Sequence, residues 1–127
     1  MRLANSFRDL EVYNLSRELS KEVFELTKKL PSEERYSLTD QIRRSSRSVG
    51  AQIAEAWAKR RYEKHFISKL TDADGEQLET QHWIEVSLDC EYITNNLMNS
   101  LLDKCSSIGK MLNSMMGKSD QFCNKNG

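Results

Sequence analysis

Apolar residues recur at every third or fourth position through almost the whole of this chain, and a single proline, Pro31, interrupts them. That spacing lines one side of a 3.6-residue helix, and no alternating strand pattern competes with it. Four segments follow. The first covers residues 10–30, with Val12, Leu15, Leu19, Val23, Leu26 and Leu30 as its stripe. Ser6-Phe7-Arg8-Asp9 opens it in the form of a capping box with Asp in place of Glu, and Pro31 stops it. After the acidic turn Ser32-Glu33-Glu34, the second covers residues 36–61, where Leu38, Ile42, Val49, Ile53 and Ala56 or Trp57 mark the buried side. The third, residues 62–93, carries Phe66, Leu70, Ala73, Ile84 and Leu88 on a stripe whose centre, residues 72–81, is polar. Such a helix is expected to be only partly buried within its own chain. Thr94-Asn95-Asn96 supplies cap chemistry for the fourth, residues 95–116, marked by Leu97, Leu101, Cys105, Ile108, Leu112 and Met115.

Helices of about 20 to 30 residues with short connections pack most simply as sequential neighbours, each antiparallel to the last. The expected fold is therefore all-α, an antiparallel up-and-down four-helix bundle over residues 1–116, with a polar tail over residues 117–127 expected to be disordered. A chain of 127 residues suits one domain. It buries roughly two thirds of its unfolded surface, enough for a core without disulfides or structural metal. Cys90, Cys105 and Cys123 agree: they are odd in number and have no C-x-x-C spacing, so neither a disulfide framework nor a zinc site is implied. Cys90 and Cys105, among apolar residues, read as small hydrophobes. Gly50, inside the second helix, costs about 1 kcal/mol relative to Ala, and its size permits close helix approach. No apolar run reaches the roughly 18 residues of a membrane span. The opening MRLANSFRDL lacks the apolar region of a signal peptide, and a cytoplasmic protein with no membrane partner is expected.

Charge is balanced in total, 19 basic residues against 19 acidic, but not along the chain. Between residues 35 and 64 stand Arg35, Arg43, Arg44, Arg47, Lys59, Arg60, Arg61 and Lys64, against Asp40, Glu55 and Glu63, a net of plus five. Between residues 66 and 103, eight acidic residues stand against Lys69 alone, a net of minus seven. Opposite signs on consecutive helices either align two neighbours inside one bundle or, on opposite sides of a protomer, make a head-to-tail contact that closes into a ring when the rotation permits. Beside the apolar stripe of the second helix runs a polar row, Gln41, Arg44 or Ser45, Ser48, Gln52 and Glu55, surrounded by the small residues Ser46, Gly50, Ala51 and Ala54. Such a row is either a solvated face or a close polar helix seam between protomers. Arg43, Arg44, Arg47, Lys59, Arg60, Arg61 and Lys64, with Tyr62 interleaved, are the candidates for nucleic-acid phosphate contact; the other reading is solvated or interprotomer charge. A pI near 6.7 lacks the alkaline excess of a dedicated nucleic-acid domain, yet a neutral total is compatible with a local positive face.

Catalytic patterns are missing. His65 and His82 stand 17 residues apart on one expected helix, roughly 25 Å. No serine sits in a nucleophile elbow, no glycine-rich phosphate loop occurs, and Asp72 and Glu76 lack the E-x-x-H partners of a di-iron bundle. A noncatalytic protein without cofactor or metal is expected.

Phe7-Arg8-Asp9-Leu10-Glu11-Val12-Tyr13 resembles an F-x-D-L-x-V-(Y/W) opening. The stretch from Leu38 to Val49, with Gln41-Ile42-Arg43-Arg44 at its centre, is similar to an L-x-x-Q-I-R-R-(S/A)-(S/A)-x-S-(V/I) core. Ala51-Gln52-Ile53-Ala54-Glu55-Ala56 looks like the A-N-I-A-E-(G/A) that continues it, and Phe66-Ile67-Ser68-Lys69-Leu70 with Glu79-Thr80-Gln81 and Trp83 matches the third helix of one branch. These blocks resemble the four-helix bundle family associated with intervening sequences of bacterial 23S rRNA, over residues 7–112. The resemblance implies an up-and-down protomer and a homopentamer with a central barrel or funnel. A related branch, the accessory variability determinant of diversity-generating retroelements, is a basic pentamer that binds nucleic acid and partners a reverse transcriptase. Gln41, Arg43, Arg44, Ser48, Gln52 and Glu55 occupy the motif positions, and no catalytic role attaches to them. Gln52 stands where Asn is usual and Ala56 where Gly is common, and the neutral charge departs from the nucleic-acid-binding branch. The expected function is a noncatalytic homo-oligomeric scaffold, pentameric by resemblance, that engages RNA, DNA or a nucleoprotein partner. The alternative is an oligomeric module that binds protein only.

Overall fold

The structure is a computed structural model that describes residues 4–123. Ser6 and Asp9 do cap a helical turn, but a separate one: the Ser6 hydroxyl accepts from the Arg8 amide and the Asp9 carboxylate from the Asn5 amide, closing a 3-10 turn over Phe7–Asp9. Leu10 is extended, and α1 (Glu11–Thr27) starts directly after it. Pro31, fixed in the extended region, opens a second 3-10 turn over Ser32–Glu34, from which α2 (Leu38–Ala58) departs. A short turn leads to α3 (Glu63–Asp89), and Thr94, whose hydroxyl accepts from the Leu97 amide at 3.1 Å, caps α4 (Asn95–Gly117). Packing joins α1 to α2, α2 to α3, α3 to α4 and α4 back to α1, while the diagonal pairs stay apart. The result is an antiparallel, up-and-down four-helix bundle. The extended α2–α3 pair is its most intimate contact.

The apolar stripes meet in the middle. Leu19 and Val23, Ile42, Val49 and Ile53, Phe66, Leu70 and Ile84, and Leu101, Ile108 and Leu112 are all fully buried. The centre of α3 is partly exposed, at Asp72, Gly75 and Leu78, yet it also sends polar residues into the core. Gln77, Thr80 and Ser87 continue the stripe inward between Leu70 and Ile84 and beyond, each with its polar atoms bonded. Thr80 donates its hydroxyl proton to the Glu76 carbonyl at 2.9 Å, which leaves its oxygen to accept from Ser45 of α2 at 2.8 Å. Glycines allow two further close approaches. A Cβ at Gly50 would stand 3.0 Å from the Ser16 hydroxyl of α1, and one at Gly109 of α4 would stand 2.9 Å from the Gln77 amide nitrogen. Cys105 is buried, and desolvation pushes its thiol up to about 12, so it is an inert core residue. Cys90 caps the end of α3 and is exposed rather than packed.

The polar tail begins later than the sequence implies. After α4, a single turn α5 (Ser119–Phe122) folds back: Ser119 donates to Glu63 at 3.0 Å and the Phe122 ring stacks on Phe66 with centroids 5.9 Å apart. One large aromatic side chain is enough to tie a polar segment down. The remainder of the tail expected to be disordered, residues 124–127, lies outside the described residues.

The end of α3 is a Schellman motif made without glycine. Tyr92 N–H bonds Ser87 O at 2.9 Å, Glu91 N–H bonds Leu88 O at 2.8 Å, and Glu91 takes φ 63° to close it. Tyr92 then reaches the other loop at this end of the bundle, donating to the Glu34 carboxylate at 2.8 Å. The Ser37 hydroxyl first, and Tyr92 second, hold the Glu34 carboxyl below its ordinary value, and the same bond pushes the Tyr92 phenol up to about 12.

Three outcomes follow. Glu91→Gly removes the left-handed penalty and is expected to raise stability by about 0.5–1 kcal/mol in urea denaturation; an unchanged midpoint would contradict a strained cap. Thr80→Val is expected to cost about 1 kcal/mol. Ser45→Ala and Thr80→Val together should cost less than their sum, and simple additivity would show that the two hydroxyls are not coupled. For the loop pair, the depressed Glu34 stabilises above the ordinary carboxylate range and loses its contribution as pH falls through its own lowered value. Tyr92, raised, contributes fully below its ordinary 10.0 and loses that contribution as pH rises to about 12. Carboxyl NMR titration should find Glu34 moved upward in Tyr92→Phe; an identical curve would mean the bond is not formed in solution.

Candidate nucleic-acid and assembly surfaces

The basic residues singled out in the sequence separate into two groups. Arg43, Arg44 and Arg47 lie on the outward and α1-facing sides of α2, and with Arg35, Asp40 and Ser48 they line a shallow hollow. Lys59, Arg60, Arg61 and Lys64 belong to the α2–α3 turn and the first turn of α3. Arg47 and Lys59 are twelve residues apart, roughly 18 Å along the helix axis. One phosphate site does not take both.

The α2 arginines are held by their own protomer. Arg43 donates its Nε to the Thr27 hydroxyl of α1 at 2.7 Å, and its guanidinium lies 4.7 Å from the Phe24 ring centroid. Arg47 faces the same ring at 5.6 Å, and Lys28 reaches it at 4.7 Å. A half-buried phenylalanine with three cations around it gains from its ring quadrupole and keeps those cations close despite their repulsion. Arg44 bridges Gln41 at 3.0 Å and Glu79 of α3 at 3.4 Å; Glu79 also accepts from the Trp83 indole at 3.0 Å.

At the turn the arrangement differs. Arg60 stacks on Trp57, 3.6 Å from its centroid, and donates to the Trp57 carbonyl. Lys59, Arg61 and Lys64 are exposed and make no ion pair with any described residue. Tyr62 is 56% exposed among them, its ring 5.4 Å from that of His65 and 6.0 Å from the Arg61 guanidinium. An open aromatic ring within a group of unpaired cations has the chemistry to stack a base and neutralise phosphate.

The polar row of α2 is largely spent inside the protomer. Ser45 is fully buried against Thr80, Gln52 and Glu55 both take the Lys69 ammonium of α3, at 3.3 and 3.2 Å, and Gln41 accepts from Arg44. The row expected between protomers is thus mainly the α2–α3 seam of one chain, because α3 presents a matching row in Lys69, Glu79 and Thr80. Ser48 and, as the alternative to Ser45, Arg44 line the outer hollow. Phe24, Tyr62 and Leu78 fall off the helical stripes read in the sequence, while of the two alternatives Ala56 and Trp57, Ala56 is the buried one and Trp57 packs only partly.

The acidic residues divide: Glu79 belongs to the α2–α3 seam, while several others face solvent. Asp72, Glu85, Asp89 and Asp103 are exposed, and Leu78, 55% exposed, stands among them on α3. His65 and His82 are both exposed on α3. Among the described residues no group of three or more His, Cys, Asp and Glu is placed to hold a metal ion, and no helix is long and apolar enough to cross a membrane.

Comparison with known proteins places this architecture. No curated protein matches the chain. A protein of unknown function from the S23 ribosomal protein family of Bacteroides thetaiotaomicron, known from its crystal structure, is 34% identical, with a TM-score of 0.75 over 84% of this chain and 95% of that one. The family model described as 23S rRNA-intervening sequence protein matches residues 8–114. Spanning all four long helices and both charged surfaces, that match shows that the chain belongs to the 23S rRNA-intervening sequence protein family.

Proposed function

We propose that this protein is a noncatalytic scaffold that assembles with copies of itself and holds nucleic acid, bare or within a nucleoprotein, against its α2–α3 turn. The observation that carries the reading is the exposed Tyr62 ring set among Lys59, Arg61 and Lys64, cations that no carboxylate of the described chain neutralises. Arg60, anchored on Trp57, adds a fourth positive group of fixed orientation. The family is named for an intervening sequence of a ribosomal RNA, which supports RNA as the first ligand to test. Assembly is supported by the segregation of charge, and a pentamer is the state that family resemblance favours. Several turns carried by one assembly would convert a weak patch into a strong one. The acidic face of α3 favours a second reading, a module that binds a basic protein surface and no nucleic acid.

Fluorescence anisotropy with a labelled single-stranded RNA, read across about 50–200 mM salt, separates the two. Lys59, Arg61 and Lys64 changed together to Ala are expected to reduce the slope of log affinity against log salt by about 2 per engaged copy, at about 0.7 per phosphate. Tyr62→Ala should weaken binding about tenfold with little change in slope, since a stacked base contributes about 1–3 kcal/mol. No binding at the lowest salt, or binding indifferent to both variants, would leave the protein-only module.

A further inference from the structure

Between α1 and α2 runs a groove floored by small residues. Gly50, Ala51 and Ala54 of α2 face Tyr13 and Ser20 of α1 across it, and Arg17 and Arg47 form its two rims. At its floor Gly50 lets α1 come close, since a Cβ there would stand 3.0 Å from the Ser16 hydroxyl. The groove's volume, about 210 Å³, exceeds the roughly 150 Å³ that suffices for a benzene ring. It has room for one large aliphatic side chain.

The other side of the bundle carries such a side chain. Leu78 projects from α3 at 55% exposure, while Gly75, one turn before it, leaves open space beside it. This stripe of α3 borders α4: Thr71, two turns before Leu78, donates to the Met116 sulfur at 3.4 Å. In a square ordered α1, α2, α3, α4, the α1–α2 groove and the α3–α4 side are opposite faces. Their charges are opposite too. Arg17 and Arg47 rim the groove and Arg44 lines the adjoining hollow, while Asp74, one turn before Leu78, and Glu85, two turns after it, flank Leu78 along α3. Spacing also agrees. Glu85 follows Leu78 by seven residues and Arg44 precedes Ala51 by seven, so an α3 laid antiparallel on α2 brings both pairs into register about 10 Å apart.

We infer that the α1–α2 groove of one copy receives Leu78 of a second copy, with Glu85 of that copy on Arg44 and its neighbouring carboxylates on Arg17 and Arg47. The contact is heterologous, so it closes into a ring or propagates according to the rotation between copies. It rests on the assembly reading above and names the surfaces that reading needs. The occupant is a second copy because knob, groove and both charge sets belong to the same chain; an acidic helix of another protein is the competing occupant.

Light scattering coupled to size exclusion, at tens of micromolar protein and moderate salt, tests it. The unaltered chain is expected to run at a multiple of 14.7 kDa, and Leu78→Asp and Arg47→Glu each at the mass of one chain. Both sites are exposed, and circular dichroism checks that the helices persist. Leu78→Ser serves as a second variant if Leu78→Asp loses helix. Arg44→Glu should also dissociate the assembly, and Glu85→Arg in the same chain should restore its mass. An assembly that keeps its mass in both Leu78→Asp and Arg47→Glu overturns this contact and leaves the assembly reading standing. A single-chain mass for the unaltered protein overturns both, and restoration of mass only with an added acidic partner would hand the groove to another protein.

Discussion

The hydroxyl pair of Ser45 and Thr80 sets the distance between α2 and α3, and much of the remaining structure depends on that distance. Both residues are fully buried, with 2.8 Å between their oxygens. Two larger side chains there would push the helices apart; two apolar ones of the same size would lose the directional bond. Holding the pair close brings the flanking polar side chains into reach: Arg44 meets Glu79 on one side of the crossing, and Lys69 meets Gln52 and Glu55 on the other. These outer contacts are partly exposed, so each adds little alone. Their effect is to fix rotation about the helix axes, because a slip of one residue would break all of them at once.

Fixing α2 against α3 determines what α2 shows to solvent. With its polar row turned largely toward α3 and its apolar stripe toward the core, α2 exposes Asp40, Arg44, Arg47, Ala51, Glu55 and Ala58. Gly50 then faces α1 and lets Ser16 and Tyr13 approach closely along the groove. Phe24 holds Arg47 at the edge of that groove, so this part of the positive rim is ordered before any partner arrives. Order of this kind lowers the entropy that long cationic side chains would lose on binding.

All four helices were legible from spacing alone, since Leu19, Val23, Ile42, Ile53, Phe66, Leu70, Ile84, Leu101, Ile108 and Leu112 are the buried residues their stripes demand. What spacing missed is the polar part of the α3 stripe, because Gln77, Thr80 and Ser87 occupy inward positions and find partners there, and hydropathy reads a bonded buried glutamine as a surface one. The polar row of α2 reads in the sequence as a solvated face or a seam between protomers, and it is mainly a seam within one chain. Helical period shows that a face pairs with something, and it carries no information about whether the partner helix lies in the same chain. Leu78 drew no notice because a solitary exposed leucine is ordinary; it gains meaning only when a groove of matching size and opposite charge is found on the far side. The end of α3 was placed too late, at residue 93, because the left-handed residue that closes it is Glu91 rather than the glycine that marks such caps.

Electrical neutrality is then a consequence of the proposed assembly rather than an argument against binding nucleic acid. A chain with 19 charges of each sign has no long-range repulsion to keep copies apart, and sorting the signs onto opposite faces gives those copies a preferred orientation. In such an array Arg17, Arg44 and Arg47 meet the neighbour's carboxylates, and Leu78 with its flanking acidic residues is covered by that neighbour. What stays open is the α2–α3 turn with Tyr62, on the end of each bundle rather than on its sides. Cyclic symmetry places every one of those turns at the same end of a closed ring. The isolated chain is neutral, yet the end of its assembly would carry a circle of unpaired lysines and arginines, and the strength of that surface would be set by copy number.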